Sequence, residues 1–360
     1  MVDQPIYKLL KRRTPYNADE YSSLVASTSG DRVEALGLAF QVYLEANIPI
    51  AITRRRGLAA YRINPYVLLT TATTMGLREP ASLANFLVNI KLYMGLETSF
   101  GKSIESVVMR FYPLTAGEKW SDPAEKIDES VTLVGMEREE KARARVKSVW
   151  REVDRSVVRG DRRHLLTIKS GPSTINDTQV AAMYAAIDQH NGTWLDISAA
   201  GYGVKGIDVV IGLTYGTAMS TNNKENQILA KLLAGDFAVA STDPVVVERL
   251  EGLVRAYRVV GIDFWSYVGD PETPRSARFV FLEILMALLK ALRVTTQSGA
   301  VEVALDRAIG ELATSIYRMR PSGDLPDWVK DEFSVEELLL LQAAAAAFYD
   351  TRAVAADNAG

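Results

Sequence analysis

The sequence predicts an α/β fold in which a mixed central sheet is flanked by helices, with helical regions before and after it. Two short stretches rich in valine, leucine and isoleucine, 149–158 and 164–170, are separated by Arg159-Gly-Asp-Arg162, which is typical of a β-hairpin. A predicted helix and then a nearly continuous apolar run, 207–213, follow the hairpin. The order strand, helix, strand implies a parallel crossover.

The remaining elements follow from apolar spacing and capping residues. Apolar positions three and four apart predict helices over 31–45 and 80–94. A polar loop is expected over 117–128, before a basic helix over 137–147. Three organisational regions result: a helical region (1–95), the α/β core (96–270) and a C-terminal helical region (271–360).

Within and after the core, further elements have sequence signals of their own. Asn176 or Asp177 is expected to cap a helix that runs to about residue 190. A strand is predicted over 256–260, and the pattern becomes helical again beyond Pro274. Ser334-Val-Glu-Glu337 fits a capping box that opens a helix over 335–349.

Composition excludes several classes of site. The chain has 360 residues, 48% of them hydrophobic, no cysteine and two histidines. Thiolate zinc sites, cysteine nucleophiles and histidine-rich metal clusters are therefore excluded, and a hydrolytic metal would need oxygen ligands, which favours magnesium, manganese or calcium. No apolar run of about 18 residues and no signal peptide is evident, so we expect a cytoplasmic protein without a membrane partner.

Although the net charge of the chain is −3, the sequence contains one strongly basic region. Between residues 141 and 169 there are ten basic residues against three acids, whereas 325–360 carries seven acids and two basic residues. A basic run is as often a solvated surface as a binding site for phosphates, and charge alone leaves both readings open.

Two glycine-rich motifs resemble nucleotide-binding signatures in their residue types, but each departs from its signature in spacing or in the secondary structure expected around it. The segment 201–206 matches the dinucleotide fingerprint but leads into a strand, whereas that fingerprint opens a helix. The segment 95–103 resembles a phosphate-binding loop but has five residues between its glycines instead of four, and it follows a helical pattern. We therefore expect no nucleotide cofactor.

The hairpin brings together two groups that could support chemistry. A turn centred on Gly160 and Asp161 sets Asp154 opposite Thr167, with Lys169 as a diagonal neighbour on the same face. An aspartate can hold a cation and a lysine can stabilise charge at a phosphate, as phosphodiester hydrolysis requires. The same pair could equally be a surface salt bridge.

The local sequence adds a family resemblance. The stretch Leu165-Leu-Thr-Ile-Lys-Ser-Gly-Pro172, followed by Thr174-Ile-Asn-Asp177, is similar to the active-site strand of type II restriction endonucleases of the PD-(D/E)XK superfamily. The resemblance extends over about 64–269 and includes the segments 63–66, 96–105 and 206–212. It implies a PD-(D/E)XK core, dependence on Mg²⁺, and a homodimer that cuts both strands of double-stranded DNA at a specific sequence, leaving 5′-phosphate and 3′-hydroxyl ends.

The resemblance also implies roles for individual residues. Asp154 would bind the metal, the backbone carbonyl of Ile168 would complete its shell, and Lys169 would activate water near the scissile phosphate. The acid of the family's triplet is replaced here by Thr167. Glu105 is the first candidate to replace it, on a helix that often delivers a glutamate to the site, with Glu152 and Asp177 as alternatives.

Other expectations concern DNA contacts and the alternatives to restriction. Residues expected to contact DNA lie around the hairpin and in the polar loop after the central strand: Arg155, Arg162, Arg163, Ser170, Asn176, Asn222, Asn223 and Lys224. His164 is expected to be exposed or to contact phosphate, and Asp161 to form the turn. A structure-specific repair or recombination nuclease, and a DNA-binding protein whose cleavage has decayed, remain alternatives.

Overall fold

The structure of the chain is a computed structural model, which describes it in segments. The described residues are 21–26, 28–53, 57–61, 63–106, 112, 148–169, 171, 175–216, 224–269, 276–297, 299–319 and 325–349. The expected loop over 117–128 and the expected basic helix over 137–147 lie outside them.

The described N-terminal residues form helices. They are α1 (Tyr21–Ala26), α2 (Gly30–Thr53), a short 3₁₀ turn (Leu58–Tyr61), α3 (Pro65–Thr74) and α4 (Pro80–Ser106). The helices predicted over 31–45 and 80–94 are therefore confirmed, and each is longer than predicted. The segment 95–103 continues α4, with a helix and no strand before it.

Six strands form one mixed sheet, and the sequence predicts the mixed sheet and four of these strands. They are β1 (Arg155–Arg159), β2 (Arg162–Lys169), β3 (Gly206–Leu213), β4 (Ala238–Thr242), β5 (Val245–Arg249) and β6 (Val254–Val260). Their order is β1-β2-β3-β6-β5-β4. The central strands β2, β3 and β6 are parallel, and β1, β5 and β4 pair antiparallel.

Helices α5 (Asp177–Tyr202) and α6 (Lys224–Leu233) pack on one face of this sheet. The core between them is apolar. From the helices it contains Val180, Met183, Ile187, Trp194, Ile228, Leu229 and Leu232, and from the strands Leu165, Val209, Ile211, Val254 and Ala256. On the other face, α7 (Ile262–Val268) places the Phe264 ring against Gly212, where a Cβ atom would lie 2.7 Å from the ring.

The predicted core elements exist, with different limits. The first hairpin strand begins at Arg155 and not at residue 149, because 149–152 form a turn. The helix capped by Asn176 runs to Tyr202, well beyond residue 190. The strand predicted over 256–260 begins at Val254. The antiparallel strands β4 and β5 have no counterpart in the prediction.

The C-terminal part is helical, as predicted. It comprises α8 (Ser276–Gln297), α9 (Ala300–Tyr317), α10 (Asp327–Glu332) and α11 (Val335–Tyr349). The capping box at Ser334 is confirmed, since the backbone N–H of Ser334 donates to Glu337 Oε2 at 2.8 Å and that of Glu337 donates to Ser334 Oγ at 3.2 Å.

The chain divides into two compact units. The first comprises Met1–Ala39 and Thr98–Leu288 and contains the whole sheet, and the second comprises Phe40–Glu97 and Leu289–Gly360. Among the described helices, α2 alone has the length and apolar composition that would allow it to cross a membrane, and buried helices of soluble proteins meet the same criteria. The region limits at 95 and 270 stay a prediction.

Candidate active site

The β1–β2 hairpin has the predicted register. Arg155 pairs with Leu166 and Ser156 with Leu165. The regular ladder ends at Arg155, one residue short of the expected pair between Asp154 and Thr167. The backbone N–H of Asp154 donates to the Leu166 carbonyl at 2.9 Å, and the carboxylate of Asp154 accepts from the Ile168 N–H at 2.6 Å. Asp154 therefore lies beside Thr167, bonded to the residues on either side of it.

The backbone of Ile168 turns toward Asp154. Within a strand, the N–H and C=O of one residue project to the same side. Because the Ile168 N–H bonds to Asp154 Oδ2, the Ile168 carbonyl projects toward the same carboxylate. On the other side of β2, the Lys169 carbonyl accepts from Thr214 at 3.0 Å and ties β2 to the end of β3.

Burial dominates the electrostatics of Asp154. It raises the pKa of the carboxyl above its ordinary value, because the charged form loses solvation. The attraction of Lys169, the Ile168 N–H and Arg155 act in the opposite direction, and Glu152 adds to the rise. The attraction of Lys169 is the largest of the opposing effects, and the joint role of the aspartate and lysine stays a prediction.

Thr167 occupies the position where the resembling family has an acid. Its side chain is buried, and its hydroxyl has no hydrogen-bond partner among the described residues. A buried hydroxyl without a partner costs free energy. The Thr167 hydroxyl is therefore a polar group of the candidate site to which no described residue bonds.

The candidates for the missing acid differ in position. Glu152 contacts Arg151 at 3.5 Å and is close enough to Asp154 to raise its pKa. Asp177 is 85% exposed and forms an ion pair with Lys224. Glu105 lies within α4, but its side chain is outside the described part of the chain. Among the described side chains, no three carboxylates or imidazoles cluster as a metal site would.

A buried ion pair lies near this end of the sheet, and the sequence analysis does not predict it. Glu225, the second residue of α6, is fully buried, and its Oε1 accepts from Arg258 Nη1 at 2.7 Å. Its sequence signal is a charge on an apolar helix stripe, formed with Ile228, Leu229 and Leu232. Arg258 shows the corresponding signal in β6, where it takes an inward position of an apolar strand.

Both helices on this face begin at the end of the sheet where Lys169 lies. Asn176 caps α5, accepting from the Gln179 N–H at 2.9 Å, while the Gln179 side chain accepts from the Asn176 N–H at 3.0 Å. Lys224 begins α6 and pairs with Asp177 at the start of α5. Helix N-termini favour anions, and the carboxyl ends of parallel strands are the usual ligand-binding edge of open α/β sheets.

The glycine after the lysine strand has a steric role. A Cβ atom on Gly171 would lie 2.2 Å from the ring of Tyr215, so the ring packs directly against the backbone. Tyr215 follows β3 and is 45% exposed. Glycine at this position therefore lets the end of β3 approach the segment that follows Lys169.

Two of the arginines expected to contact DNA have structural positions instead. Arg163 is buried between the rings of Trp150 and Tyr202, and its guanidinium donates to Ser156 and Ser198. Enclosed in this way, it has no surface from which to reach a phosphate.

Arg162 begins β2, about 23 Å along the strand from Lys169 at ~3.3 Å per residue. Its guanidinium bonds Asp208 at 2.5 Å and the carbonyls of Ile207 and Leu253. Its distance from the site and these bonds correct the expected role to one of holding strands together.

The expectation that His164 is exposed or contacts phosphate is wrong. His164 is 3% exposed and faces away from the α5 side of the sheet, near Asp208 and the ring of Tyr267. Its burial lowers the pKa to about 3, against an opposing attraction from Asp208. Asp161 is in the turn, as expected, and its carbonyl accepts from Lys205 at 2.7 Å.

The remaining predicted DNA contacts are placed unevenly. Arg155 adjoins Asp154 and donates to its carbonyl at 3.1 Å, while Asn176 and Lys224 lie at the two helix starts. Ser170, Asn222 and Asn223 lie outside the described residues.

In comparisons with known proteins, the sequence matches no protein-family model and no curated protein.

Proposed function

We propose that the chain is a Mg²⁺-dependent endonuclease that hydrolyses double-stranded DNA at a specific sequence, in the manner of type II restriction endonucleases. The observation that carries the proposal is the arrangement at Asp154. A carboxylate from the residue before β1 meets a backbone N–H near the end of β2, where the Ile168 carbonyl and Lys169 also lie, at the ligand-binding edge of a mixed sheet. The hairpin, the helix after it and the parallel strand support the finer assignment to a PD-(D/E)XK core.

The oxygen atoms at the site suit magnesium. Asp154 uses Oδ2 to accept from Ile168, which leaves Oδ1 as a ligand, and the Ile168 carbonyl, on the same side of β2 as its N–H, would be the second protein ligand. Magnesium commonly takes one or two protein oxygens and completes its octahedron with water and phosphate oxygens. A bound magnesium ion supplies Lewis-acid polarisation of the phosphate and a water of lowered pKa.

The protein groups would position the cation and stabilise the charge on the phosphate. Asp154 and Ile168 would fix the position of the cation, and the ammonium of Lys169 would stabilise negative charge that develops on the phosphate oxygens. The N-termini of α5 and α6 would add a favourable potential for the phosphodiester backbone. Glu105 stays the first candidate for a second carboxylate.

Cleavage of plasmid DNA tests the proposal. The wild-type protein is expected to give discrete bands with Mg²⁺ and no cutting with EDTA. Lys169→Ala should lower the rate by about 100-fold or more, the usual effect of losing a group that stabilises transition-state charge. Arg307→Gln, which alters an exposed pair with Glu311 on α9, is a matched control that should cut normally.

Two outcomes would redirect the assignment. A smear, or cutting that depends on junctions, would favour a repair or recombination nuclease on the same core. Unaltered cutting by Lys169→Ala would refute the assigned site.

A second candidate function follows from Thr167. With a hydroxyl in place of the family's acid, the chain could be a DNA-binding protein whose cleavage activity has decayed. Binding of duplex DNA without cutting in Mg²⁺, Mn²⁺ or Ca²⁺ would support this alternative. Restoring the acid with Thr167→Glu and then observing Mg²⁺-dependent cutting would identify the lost ligand.

A further inference from the structure

On the face of the sheet covered by α5 and α6, one row of side chains contains two polar residues, Thr167 and Arg258. We call it the polar row. Thr167 pairs with Ile211, and Ile211 pairs with Arg258, so the three side chains share a row and a face. The preceding row on this face is wholly apolar and consists of Leu165, Val209 and Ala256. Ile211 lies between the two polar residues and belongs to the apolar core, as do Leu213 and Val260 in the next row, so Thr167 and Arg258 are polar positions at the two sides of that core.

Arg258 is held in this row by a buried carboxylate. Its Nη1 donates to Glu225 Oε1 at 2.7 Å, and Glu225 has no exposed surface. The second oxygen of Glu225, Oε2, has no hydrogen-bond partner among the described residues. The side chain of Arg258 is 19% exposed, so the guanidinium reaches the boundary of the core.

This pair is costly as a purely structural device. A buried ion pair stabilises a fold less than well-packed apolar residues of the same size, and an unsatisfied carboxylate oxygen adds to the cost. A carboxylate bonded to one N–H does, however, fix the plane of the guanidinium. Arginine has five N–H donors in a rigid fork that matches the oxygens of a phosphate.

The surroundings also favour an anion. Glu225 is the second residue of α6, so the guanidinium lies at the N-terminal end of that helix, where amide N–H groups and the helix dipole attract negative charge. Arg258 is two strands away from Thr167, or about 10 Å at the usual strand spacing. It would therefore reach a different phosphate from the one beside Asp154 and Lys169.

We propose that Arg258, oriented by Glu225, binds a second phosphate of the DNA backbone. The identity of the anion rests on the proposed function, whereas the anion-binding geometry rests on the Arg258–Glu225 pair and the polar row. Arg258 would position the duplex across the edge of the sheet and take no part in the chemical step.

The test compares Glu225→Gln with the double variant E225Q/R258Q. Arg258→Gln alone would leave the buried Glu225 carboxylate without its partner and would destabilise the fold. The double variant removes both charges, so it tests the loss of the Arg258 guanidinium without that penalty. Binding of a short duplex is measured in EDTA over a range of salt concentrations. Relative to E225Q, the double variant is expected to bind about three- to tenfold more weakly at 0.1 M salt, with the salt slope smaller by about 0.9, the value for one phosphate contact.

Parallel plasmid cleavage in Mg²⁺ separates this inference from the proposed function. Equal affinity and equal salt slope in the wild type, E225Q and E225Q/R258Q overturn the inference, even if the wild type cuts DNA. A smaller slope in E225Q/R258Q supports it, even if the wild type binds without cutting and the nuclease assignment fails. A wild-type protein that binds no duplex overturns the inference as well.

Discussion

His164 makes the stability of the fold sensitive to acid. Its burial lowers the pKa to about 3, whereas in an unfolded chain a histidine binds a proton near pH 6.5. Between these values the unfolded chain binds a proton that the folded protein does not, so stability falls as the pH falls from 6.5 toward 3. The loss is about 1.4 kcal/mol for each pH unit in that window.

Replacing His164 should flatten this dependence. Urea unfolding of His164→Gln at pH 7 and pH 5 is expected to show a smaller difference between the two pH values than the wild type, by about 2 kcal/mol. His190→Gln removes the other histidine, which packs against Trp194 on α5, and serves as the control that keeps the wild-type difference. Equal pH dependence in all three proteins would contradict the assignment to His164.

Asp154 is expected to limit stability. The pKa of Asp154 is higher in the folded protein than its value of 3.8 in an unfolded chain. Above pH 3.8 the unfolded chain therefore ionises more readily, which lowers the free energy of unfolding. The full loss of stability is present at neutral pH. Asp154→Asn keeps an acceptor for the Ile168 N–H but removes the buried charge. We expect its Tm at pH 7.5 to rise by a few degrees, the change that about 1 kcal/mol produces.

The same variant should lose its response to magnesium. A ligand at 100 times its Kd stabilises a folded protein by about 2.7 kcal/mol, so Mg²⁺ should raise the Tm of the wild type. No such rise is expected in Asp154→Asn. A Tm below that of the wild type would contradict the penalty from the raised pKa of Asp154, whereas equal stabilisation of both proteins by Mg²⁺ would show that Asp154 is not the cation ligand.

At the scale of elements, α5 depends on the cap that begins it at the site. Asn176→Ala removes the acceptor of the Gln179 N–H and should lower the free energy of unfolding by about 1 kcal/mol in urea titrations. Asn176→Asp keeps the acceptor and places a negative charge at the helix N-terminus, so it should retain wild-type stability. Equal losses in both variants would show that the cap hydrogen bond is not the cause.

The elements that the sequence predicted are those with local signals. The hairpin turn at Gly160, the cap at Asn176 and the apolar run of β3 each depend on neighbouring residues, and each is confirmed. The strand start at residue 149 was wrong because Trp150 serves tertiary contacts: it stacks on Trp194 with ring centroids 5.8 Å apart. The Trp194 indole also donates to the Val149 carbonyl at 3.0 Å, within the turn.

The roles of the arginines could not be predicted from charge. Arg163 and Arg162 both lie in the basic run, yet one is enclosed by aromatic rings and the other is bonded to Asp208 and two carbonyls. Burial of a charge depends on the partners that the fold brings from far along the chain, such as Tyr202 or Asp208. For the same reason, the charges of Glu225 and Arg258 each interrupt an apolar pattern, but no local signal shows that these residues, 33 apart in sequence, pair with each other.

At the scale of the whole molecule, the proposed function assigns one active site to each strand of the duplex. One site of the kind built around Asp154 and Lys169 acts on one strand, and two-fold symmetric DNA matches a two-fold symmetric protein. A homodimer is therefore part of the proposed function, with one strand assigned to each subunit. Mixed dimers of wild-type protein and Lys169→Ala should then cut only one strand.

Supercoiled plasmid distinguishes the two products. Subunits are mixed with a large excess of Lys169→Ala, under conditions that allow exchange, so that almost every active subunit has an inactive partner. We expect open-circular DNA to accumulate in Mg²⁺ while the linear form disappears, because a nicked site has no second active centre opposite it. Linear product that persists in the same proportion, at a rate reduced only by dilution, would mean that each chain cuts both strands on its own.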